Sequence, residues 1–247
     1  METKRPKQPS FLIVGATGGI GVSLTRSLSA SGARLILAAR GHERLERLAR
    51  DVNADFVATD ATSFDAVRSL FETAGPLDGV VNLCGSILLK PAHLTSEADF
   101  HDTVAVNLTT SFAILRAAIG SLRERGGSIV LMSSAAASVG LANHEAISAA
   151  KAGVEGLVRS AAATYAPHDI RVNCVAPGLV DTPLAKSITS NATALKASTA
   201  MHPLRRIGKP GDVARVIEWL LGPEATWITG QALGVDGGLA RVRSRSA

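Results

Sequence analysis

Short apolar runs alternate with amphipathic segments from about residue 10 to about residue 240. Seven of the apolar runs predict strands, at residues 11–14, 34–39, 55–59, 78–83, 128–132, 170–175 and 232–235. The segments between them place apolar side chains at helical spacing, at residues 22–28, 43–50, 64–70, 96–122, 144–165 and 212–221. Runs that are apolar at successive positions are typical of parallel strands buried on both faces. The pattern therefore predicts a single α/β domain with a doubly wound parallel sheet of seven strands.

A cluster of glycines directly follows the first strand. Gly15, Gly19 and Gly21 are spaced as Gly-x-x-x-Gly-x-Gly, and Gly18 adds a fourth. Without a Cβ, glycine lets a pyrophosphate approach the backbone, and the following helix presents free N–H groups and the positive end of its dipole. The alternative is a glycine-rich turn that binds no ligand. With the strand before it and the helix after it, the spacing favours a Rossmann-type dinucleotide site where the strand order reverses.

The positive charge of the chain lies at its two ends. The formal net charge is +5; residues 1–10 contribute +2 and residues 241–247 contribute +3, so the body is neutral. We predict flexible basic tails at residues 1–9 and 241–247 around a domain at residues 10–240. No aromatic residues interleave the basic ones, so we expect no nucleic-acid partner.

Neither a membrane span nor a signal peptide is predicted. No uninterrupted apolar run approaches about 18 residues, and the first ten residues are polar and basic. We expect a soluble, cytoplasmic protein without a membrane partner. The two cysteines, Cys84 and Cys174, lack the spacing of metal ligands, so we expect two reduced thiols and no metal.

Two residues after strand ends bear on the cofactor. Arg40 follows the second strand, where a carboxylate usually binds a free ribose 2′-hydroxyl. An arginine can pair with a 2′-phosphate instead, which favours NADP(H) over NAD(H), although a solvated arginine is the alternative. Asp60 follows the third strand and could bind an adenine amino group. Stabilisation of the turn before a helix capped by Thr62 or Ser63 is the favoured interpretation of Asp60.

Several further motifs follow in order, and together they resemble the classical short-chain dehydrogenase/reductase family over residues 10–240. Besides the glycine turn and Asp60, the matching positions are Asn82-Leu-Cys-Gly85, Asn107, Ser134, Lys151, Asn173-x-x-x-Pro177-Gly178, Thr182, Gly230 and Asp236-Gly-Gly238. The resemblance implies Ser134, Lys151 and Asn107 as catalytic residues. With Arg40 included, the expected cofactor contacts are Gly15, Thr17, Gly18, Gly19, Ile20, Gly21, Arg40, Asp60, Ala61, Asn82, Gly85, Lys151, Pro177, Gly178, Val180 and Thr182.

One position departs from the family pattern. The family has Tyr-x-x-x-Lys, whereas this chain has Ile147-Ser-Ala-Ala-Lys151, with Ser134 at the usual thirteen residues before the isoleucine. In the family the tyrosine gives or takes the proton on the substrate oxygen, and general acid catalysis typically contributes about 10²–10⁴-fold. The only tyrosine, Tyr165, lies too far along the helix to replace it.

A replacement for the tyrosine lies nearby in the sequence. His144 precedes Ile147 by three residues, which on a helix places both on one face, and its imidazole could donate a proton near neutral pH. Glu145 could orient the imidazole or act as the acid. The alternative is that His144 is a loop residue and that Glu145 only interacts with the helix dipole.

Three functions are consistent with this pattern. The first is an NADP(H)-dependent oxidoreductase acting on a small, uncharged carbonyl or alcohol, with the proton supplied by His144 or by the substrate itself. The second is an NADP(H)-binding pseudoenzyme or sensor without hydride transfer, and the third is a redox-neutral isomerase or dehydratase. The resemblance also implies a mobile substrate lid between residues 184 and 201. It further implies a homotetramer, or alternatively a dimer, packed through helices 96–122 and 144–165.

Overall fold

The computed structural model describes residues 8–243. A single parallel sheet of seven strands has the order β3-β2-β1-β4-β5-β6-β7. The strands are β1 (Ser10–Val14), β2 (Arg34–Ala39), β3 (Asp55–Ala58), β4 (Gly79–Asn82), β5 (Gly127–Met132), β6 (Ile170–Pro177) and β7 (Ala232–Val235). The predicted doubly wound parallel sheet is confirmed, and the predicted strand limits are shifted by two residues at most. Residues 1–7 and 244–247, which make up most of the predicted basic tails, lie outside the described residues.

Helices cover both faces of the sheet. They are α1 (Gly19–Ala30), α2 (His42–Val52), α3 (Phe64–Ala74), α4 (Glu97–Val104), α5 (Thr110–Leu122), α6 (Glu145–Tyr165), α7 (Lys186–Thr189), α8 (Ala192–Met201) and α9 (Pro210–Leu221). Buried side chains of α3, α5 and α6 form one hydrophobic core with the sheet. Those of α1, α2 and α9 form a second core on the opposite face.

The first strand shows why these strands are apolar at every position. Leu12 and Val14 belong to one core, whereas Phe11 and Ile13 belong to the other. Successive side chains of a strand point to opposite faces, so a strand covered on both sides needs apolar residues throughout. The uninterrupted apolar runs in the sequence are therefore a direct consequence of the two helical layers.

The helix predicted over residues 96–122 contains a π-helical turn. Residues Ala105–Thr109 form this turn between α4 and α5. Ser96 begins the helix with a capping box, in which its hydroxyl accepts from the Asp99 N–H at 3.1 Å. The 26-residue segment Glu97–Leu122 is long and apolar enough to cross a membrane, with a mean hydropathy of 1.3 in its most apolar window. However, 44% of that window is buried within the protein, as expected for a helix that packs on a sheet.

The strand order places a cleft beside the first strand. β1 pairs with β2 on one side and with β4 on the other, so the connections leave β1 in opposite directions. The loops that follow β1 and β4 consequently diverge at their carboxyl ends, which opens a crevice between them. The glycine cluster follows β1 and therefore lies at this crevice.

Candidate active site

The turn after β1 requires glycine for steric reasons. Gly15 has φ of +82°, in the left-handed region, and its N–H donates to the Ala38 carbonyl at 2.8 Å. A Cβ on Gly21 would lie 2.5 Å from the Gly15 carbonyl oxygen and 2.6 Å from that of Ala16, closer than any side chain tolerates. Helix α1 begins at Gly19 with no acidic residue in its first turn. The turn therefore fits a pyrophosphate, which needs close backbone approach and free N–H groups.

A cavity of about 180 Å³ extends from this turn across the carboxyl ends of the strands. It brings together most of the residues predicted for the site. The predicted residues that line it are Gly15, Gly18, Gly19, Ile20, Gly21, Gly85, Asn107, Ser134, Ile147, Lys151, Pro177, Gly178, Val180 and Thr182. They come from six separate stretches of the chain, which only the sheet topology brings to one place.

Lys151 is the charged side chain in this cavity. It lies in α6 with only 5% of its surface exposed, and its Nζ donates to the Met132 carbonyl at 2.8 Å. Burial lowers the pKa of Lys151 from 10.5 to about 8, because removal from water disfavours the charged form. The Cys84 thiol, which also lines the cavity, has its pKa raised by burial to about 11 and is therefore neutral at pH 7.

Asn107 lies in the π-helical turn and is completely buried. Its Nδ2 donates to the Thr103 carbonyl and to the Ser86 hydroxyl oxygen, both at 2.9 Å. Its Oδ1 accepts from the Ser86 N–H at 3.2 Å. These contacts fix the Asn107 amide, which in turn holds the Ser86 hydroxyl in the cavity wall. The proton of the Ser86 hydroxyl remains free to donate a hydrogen bond.

Ser134 and Ile147 are the residues that the resemblance matches to the catalytic serine and tyrosine, and both line this cavity. Ser134 follows β5 and is half-buried, and its Oγ accepts from the Ala136 N–H at 3.2 Å, so its proton is free to donate into the cavity. Ile147 is 5% exposed and lines the same cavity one helical turn before Lys151. The side chain that the resemblance matches to the family tyrosine is thus an apolar part of the cavity wall.

The candidate proton donor His144 does not line the cavity. It is the half-buried residue that precedes the first turn of α6, and its Nδ1 lies 2.7 Å from the Ala142 carbonyl oxygen. A residue that precedes a helix has non-helical backbone angles, so the one-face argument that links it to Ile147 does not apply. Glu145 is exposed and also lies outside the cavity wall.

Five other predicted residues lie outside the cavity wall: Thr17, Arg40, Asp60, Ala61 and Asn82. Asn82 is completely buried, and its amide bridges the hydroxyls of Thr110 and Ser111 and the N–H of Cys84. This network fixes the loop after β4. Asn82 therefore does not line the cavity itself but positions the loop that does.

The carboxyl end of β2 is basic. Arg40 is exposed directly after this strand, and the guanidinium of Arg44 donates to the Thr17 carbonyl at 3.0 Å. Asp60 accepts from the N–H of Thr62 at 3.0 Å and from its hydroxyl at 2.8 Å, and these bonds lower the pKa of Asp60. The favoured interpretation of Asp60 as a turn residue therefore agrees with the geometry, and Ser63 is the residue that caps α3.

The predicted lid consists of α7 and α8. Its far end is tied down by His202, which is 2% exposed. The His202 Nδ1 donates to the Ser198 carbonyl at 2.7 Å, and Nε2 accepts from the Leu179 N–H at 3.2 Å. A neutral imidazole satisfies both bonds, so His202 joins the end of α8 to the segment that follows β6.

Sequence reasoning missed several residues of the site. Ser86, Met132, Leu179 and Leu184 line the cavity, and Arg44 joins the glycine turn to α2. Ser86 could have been predicted from the rule that residues after strand ends face the crevice, because it lies four positions after the end of β4. Arg44 carries no such signal, because it lies within an amphipathic helix.

A larger cavity of about 500 Å³ lies between the end of α8 and the residues that follow β7. His202, Arg206, Asp212 and Asp236 form part of its wall, and Arg206 pairs with Asp212 at 2.7 Å. Among the described residues that line it, none was predicted as catalytic. Three of the residues predicted as catalytic, Asn107, Ser134 and Lys151, line the smaller cavity instead.

Comparison with known proteins agrees with this geometry. A family model described as Enoyl-(Acyl carrier protein) reductase matches residues 15–240. The chain is 37% identical over 241 residues to cis-4-hydroxycyclohexanecarboxylate dehydrogenase of Sinomonas cyclohexanicum, covering 94% of this chain and 96% of that protein. It is 33% identical over 240 residues to 3-oxoacyl-(acyl carrier protein) reductase of Thermotoga maritima, covering 92% and 96%.

Solved structures extend the likeness to the whole fold. Actinorhodin polyketide ketoreductase, solved as a variant with NADPH, has a TM-score of 0.90 and 31% identity, covering 98% of this chain and 100% of that one. A short-chain type dehydrogenase/reductase from Mycobacterium ulcerans has a TM-score of 0.91 and 29% identity, covering 95% and 90%. The fold, the ordered motifs and these relatives agree, and the chain belongs to the classical short-chain dehydrogenase/reductase family.

Proposed function

We propose that this protein is an NADP(H)-dependent oxidoreductase that interconverts a small carbonyl compound and its alcohol. The observation that carries the proposal is the cavity that joins the glycine turn to Ser134 and Lys151. A nicotinamide cofactor, when bound, supplies or accepts the hydride. The chain itself supplies the Ser134 hydroxyl, whose free proton can bind a carbonyl oxygen and polarise it.

The wall of the cavity favours an uncharged substrate. Ile87, Met132, Leu179 and Leu184 contribute apolar surface, and Lys151 is the only charged side chain among the described residues that line the cavity. A second fixed charge for a carboxylate or phosphate is therefore lacking in this wall. Hydroxyls from Ser86 and Ser134 would bind the carbonyl oxygen, and apolar contacts would bind the rest of the molecule.

The basic end of β2 supports NADP(H) over NAD(H). Arg40 and Arg44 are both exposed there, and neither forms an ion pair among the described residues. Charge-assisted hydrogen bonds to a phosphate are worth about 1.5–3 kcal/mol, which corresponds to roughly 10–150-fold in affinity. We expect NADPH to bind more tightly than NADH by a factor in this range.

Ile147 favours a second candidate function. A protein that only binds NADP(H), as a sensor or a structural partner, needs the glycine turn and the ribose contacts of Lys151 but no proton donor. A redox-neutral isomerisation or dehydration is a further alternative that needs no phenol. Both alternatives keep the fold and the cofactor site, so turnover is what separates them from the oxidoreductase.

The deciding experiment measures NADPH consumption by the wild type and by Ile147→Tyr. The panel contains ketones, aldehydes and quinones, together with 4-oxocyclohexanecarboxylate as the ketone corresponding to the relative's alcohol. Wild-type turnover of a panel member supports the oxidoreductase. Turnover by Ile147→Tyr alone supports the binding protein, and product formation without NADPH loss supports a redox-neutral reaction.

Assembly and location complete the proposal. We expect a homotetramer, with a dimer as the alternative, in the cytoplasm. Exposed aromatic surface supports self-association, because Phe112 of α5 is 48% exposed beside Phe64, over whose ring Arg116 lies at 5.9 Å. Sedimentation velocity at two protein concentrations measures the assembly, and cell fractionation measures the location.

A further inference from the structure

The site contains a cation close to the position of the missing phenol. Ile147 and Lys151 are four residues apart in α6 and line the same cavity. A Cβ built on Gly85, on the opposite wall, would lie 3.7 Å from Lys151 Nζ and 3.3 Å from Asn107 Oδ1. The ammonium group therefore faces the space between the loop after β4 and α6. Residues four apart share a helix face, so this is also the space beside Ile147.

The ammonium group has donors to spare. Of its three N–H bonds, one is directed to the Met132 carbonyl. The side chain of Glu155, one turn further along α6, accepts from the Ser133 hydroxyl at 2.9 Å. No salt bridge between Lys151 and a carboxylate occurs among the described residues. Lys151 is thus a buried cation held by a neutral carbonyl, and its two remaining N–H bonds can be shared between the ribose hydroxyls of the bound cofactor and a substrate or a water.

The groups that face Lys151 from other elements are also neutral. Cys84 lies in the loop after β4 and Cys174 in β6, and burial raises their pKa values to about 11 and about 12. Neither thiol therefore stabilises the ammonium form at neutral pH. Burial remains the dominant influence and lowers the pKa of Lys151 to about 8, which places its protonation equilibrium close to the working range of a general acid.

On these contacts we propose that Lys151 itself protonates the substrate oxygen during carbonyl reduction, directly or through one bridging water. This inference rests on the proposed oxidoreductase function. As the carbonyl carbon gains a hydride, its oxygen gains one proton from the Lys151 ammonium, which becomes a neutral amine. The amine then regains a proton from solvent, and alcohol oxidation runs the same transfer in reverse. Ser134 donates a hydrogen bond to the same oxygen.

The isoleucine makes this transfer sterically reasonable. An isoleucine side chain is shorter than a tyrosine and carries no polar atom, so it neither reaches as far into the cavity nor competes for the Lys151 donors. His144 and Glu145 lie outside the cavity wall. Of the described groups that line the cavity, Lys151 is the one whose pKa allows it to release a proton near neutral pH.

The first test observes Lys151 without any activity. Protein labelled with ¹³C at the lysine ε-carbons is titrated by NMR in the absence of cofactor, and the Lys151 signal is assigned as the one missing from Lys151→Met. We expect a midpoint near pH 8 for Lys151. A Lys151 midpoint above pH 10 overturns the proposal.

The second test separates proton donation from cofactor binding. Arginine keeps a positive charge but does not release a proton below pH 12, so Lys151→Arg removes the acid and keeps a cation. We expect kcat to fall about 100-fold or more in the wild-type background, with the KM for NADPH changed much less. In the Ile147→Tyr background, where a phenol supplies the proton, we expect Lys151→Arg to cost less than 10-fold.

The remaining outcomes are also decisive. Equal losses from Lys151→Arg in the two backgrounds mean that Lys151 only holds the cofactor, which overturns the proposal. The wild-type kcat/KM for reduction should be constant below pH 8 and decrease tenfold per pH unit above pH 8. A pH-independent kcat/KM also overturns the proposal. Absence of wild-type turnover with the whole panel refutes the oxidoreductase and this role together, whereas turnover with a flat profile refutes this role alone. Circular dichroism and the NMR titration identify a variant that has failed to fold.

Discussion

Replacing Lys151 with methionine should make the protein more stable at neutral pH, and the gain should disappear as the pH rises. The pKa of this lysine decreases from 10.5 in water to about 8 in the folded protein. At 1.36 kcal/mol per pH unit, this difference corresponds to about 3 kcal/mol of unfavourable free energy for burying the ammonium group. Methionine is close to lysine in length and avoids this cost, but it loses the hydrogen bond to Met132, worth about 1 kcal/mol. The expected net gain at pH 7 is therefore about 2 kcal/mol.

The sign of the pH dependence follows from proton binding. Between pH 8 and pH 10.5 the unfolded wild type keeps the Lys151 proton that the folded state has released, so unfolding takes up a proton. Between pH 8 and pH 10.5 the free energy of unfolding of the wild type must therefore rise relative to that of Lys151→Met. Below pH 8 the difference between the two proteins is constant. By pH 9.5 the advantage of the methionine variant should have decreased by about 2 kcal/mol.

Urea unfolding of the cofactor-free protein measures this effect. The wild type and Lys151→Met are unfolded at one fixed protein concentration from pH 6.5 to pH 9.5, so that the proposed self-association affects every sample equally. Lys196→Met, on the exposed face of α8, is the control. Its free energy of unfolding should differ from that of the wild type by the same amount at every pH in this range. If the free energies of unfolding of the wild type and Lys151→Met differ by the same amount at every pH, the inference that the buried Lys151 ammonium destabilises the folded state is wrong.

Three further changes test other parts of the site. Gly21→Ala should lower the free energy of unfolding by about 1–3 kcal/mol, because its Cβ would overlap two carbonyl oxygens, and calorimetry should detect no NADPH binding. The control Gly120→Ala, on the open side of α5, should instead raise the free energy of unfolding by up to about 1 kcal/mol. Arg44→Ala should weaken NADPH binding roughly 10-fold or more with little effect on NADH, whereas Arg50→Ala on the same helix should change neither; equal losses for the two cofactors would argue against a phosphate contact. Ser86→Ala should lower kcat/KM with unchanged NADPH affinity, and unchanged kcat/KM would place the hydroxyl outside the reaction.

Two features of the sequence are strong predictors because they follow from local physics. The alternation of apolar runs and amphipathic segments identified all seven strands, since a strand covered on both faces must be apolar at each position. The glycine turn was equally clear, because only glycine fits the space that Gly21 occupies. The absence of a phenol at position 147 also needs no structure, since residue identity alone decides which groups can ionise.

The proton donor is where local reasoning was insufficient. Helical spacing suggested that His144 shares a face with Ile147, but His144 precedes the first turn of α6 and its side chain lies outside the cavity wall. Sequence spacing describes positions within a helix and fails at its ends, where the backbone leaves the helical path. Whether His144 takes part in turnover stays a prediction for the kinetic variants.

The sequence by itself determined the parallel sheet, the glycine turn and the isoleucine at position 147, because each depends on residue type and short-range spacing. Only the tertiary structure decided which side chains share the cavity and what surrounds them. The contact between Ser86 and Asn107 spans 21 residues, and that between Lys151 and Met132 spans 19. The pKa of Lys151 depends on burial by distant elements, which no local pattern encodes. The fold could therefore be predicted from periodicity, whereas the chemistry of the site depends on contacts that arise only when the sheet brings its strand ends together.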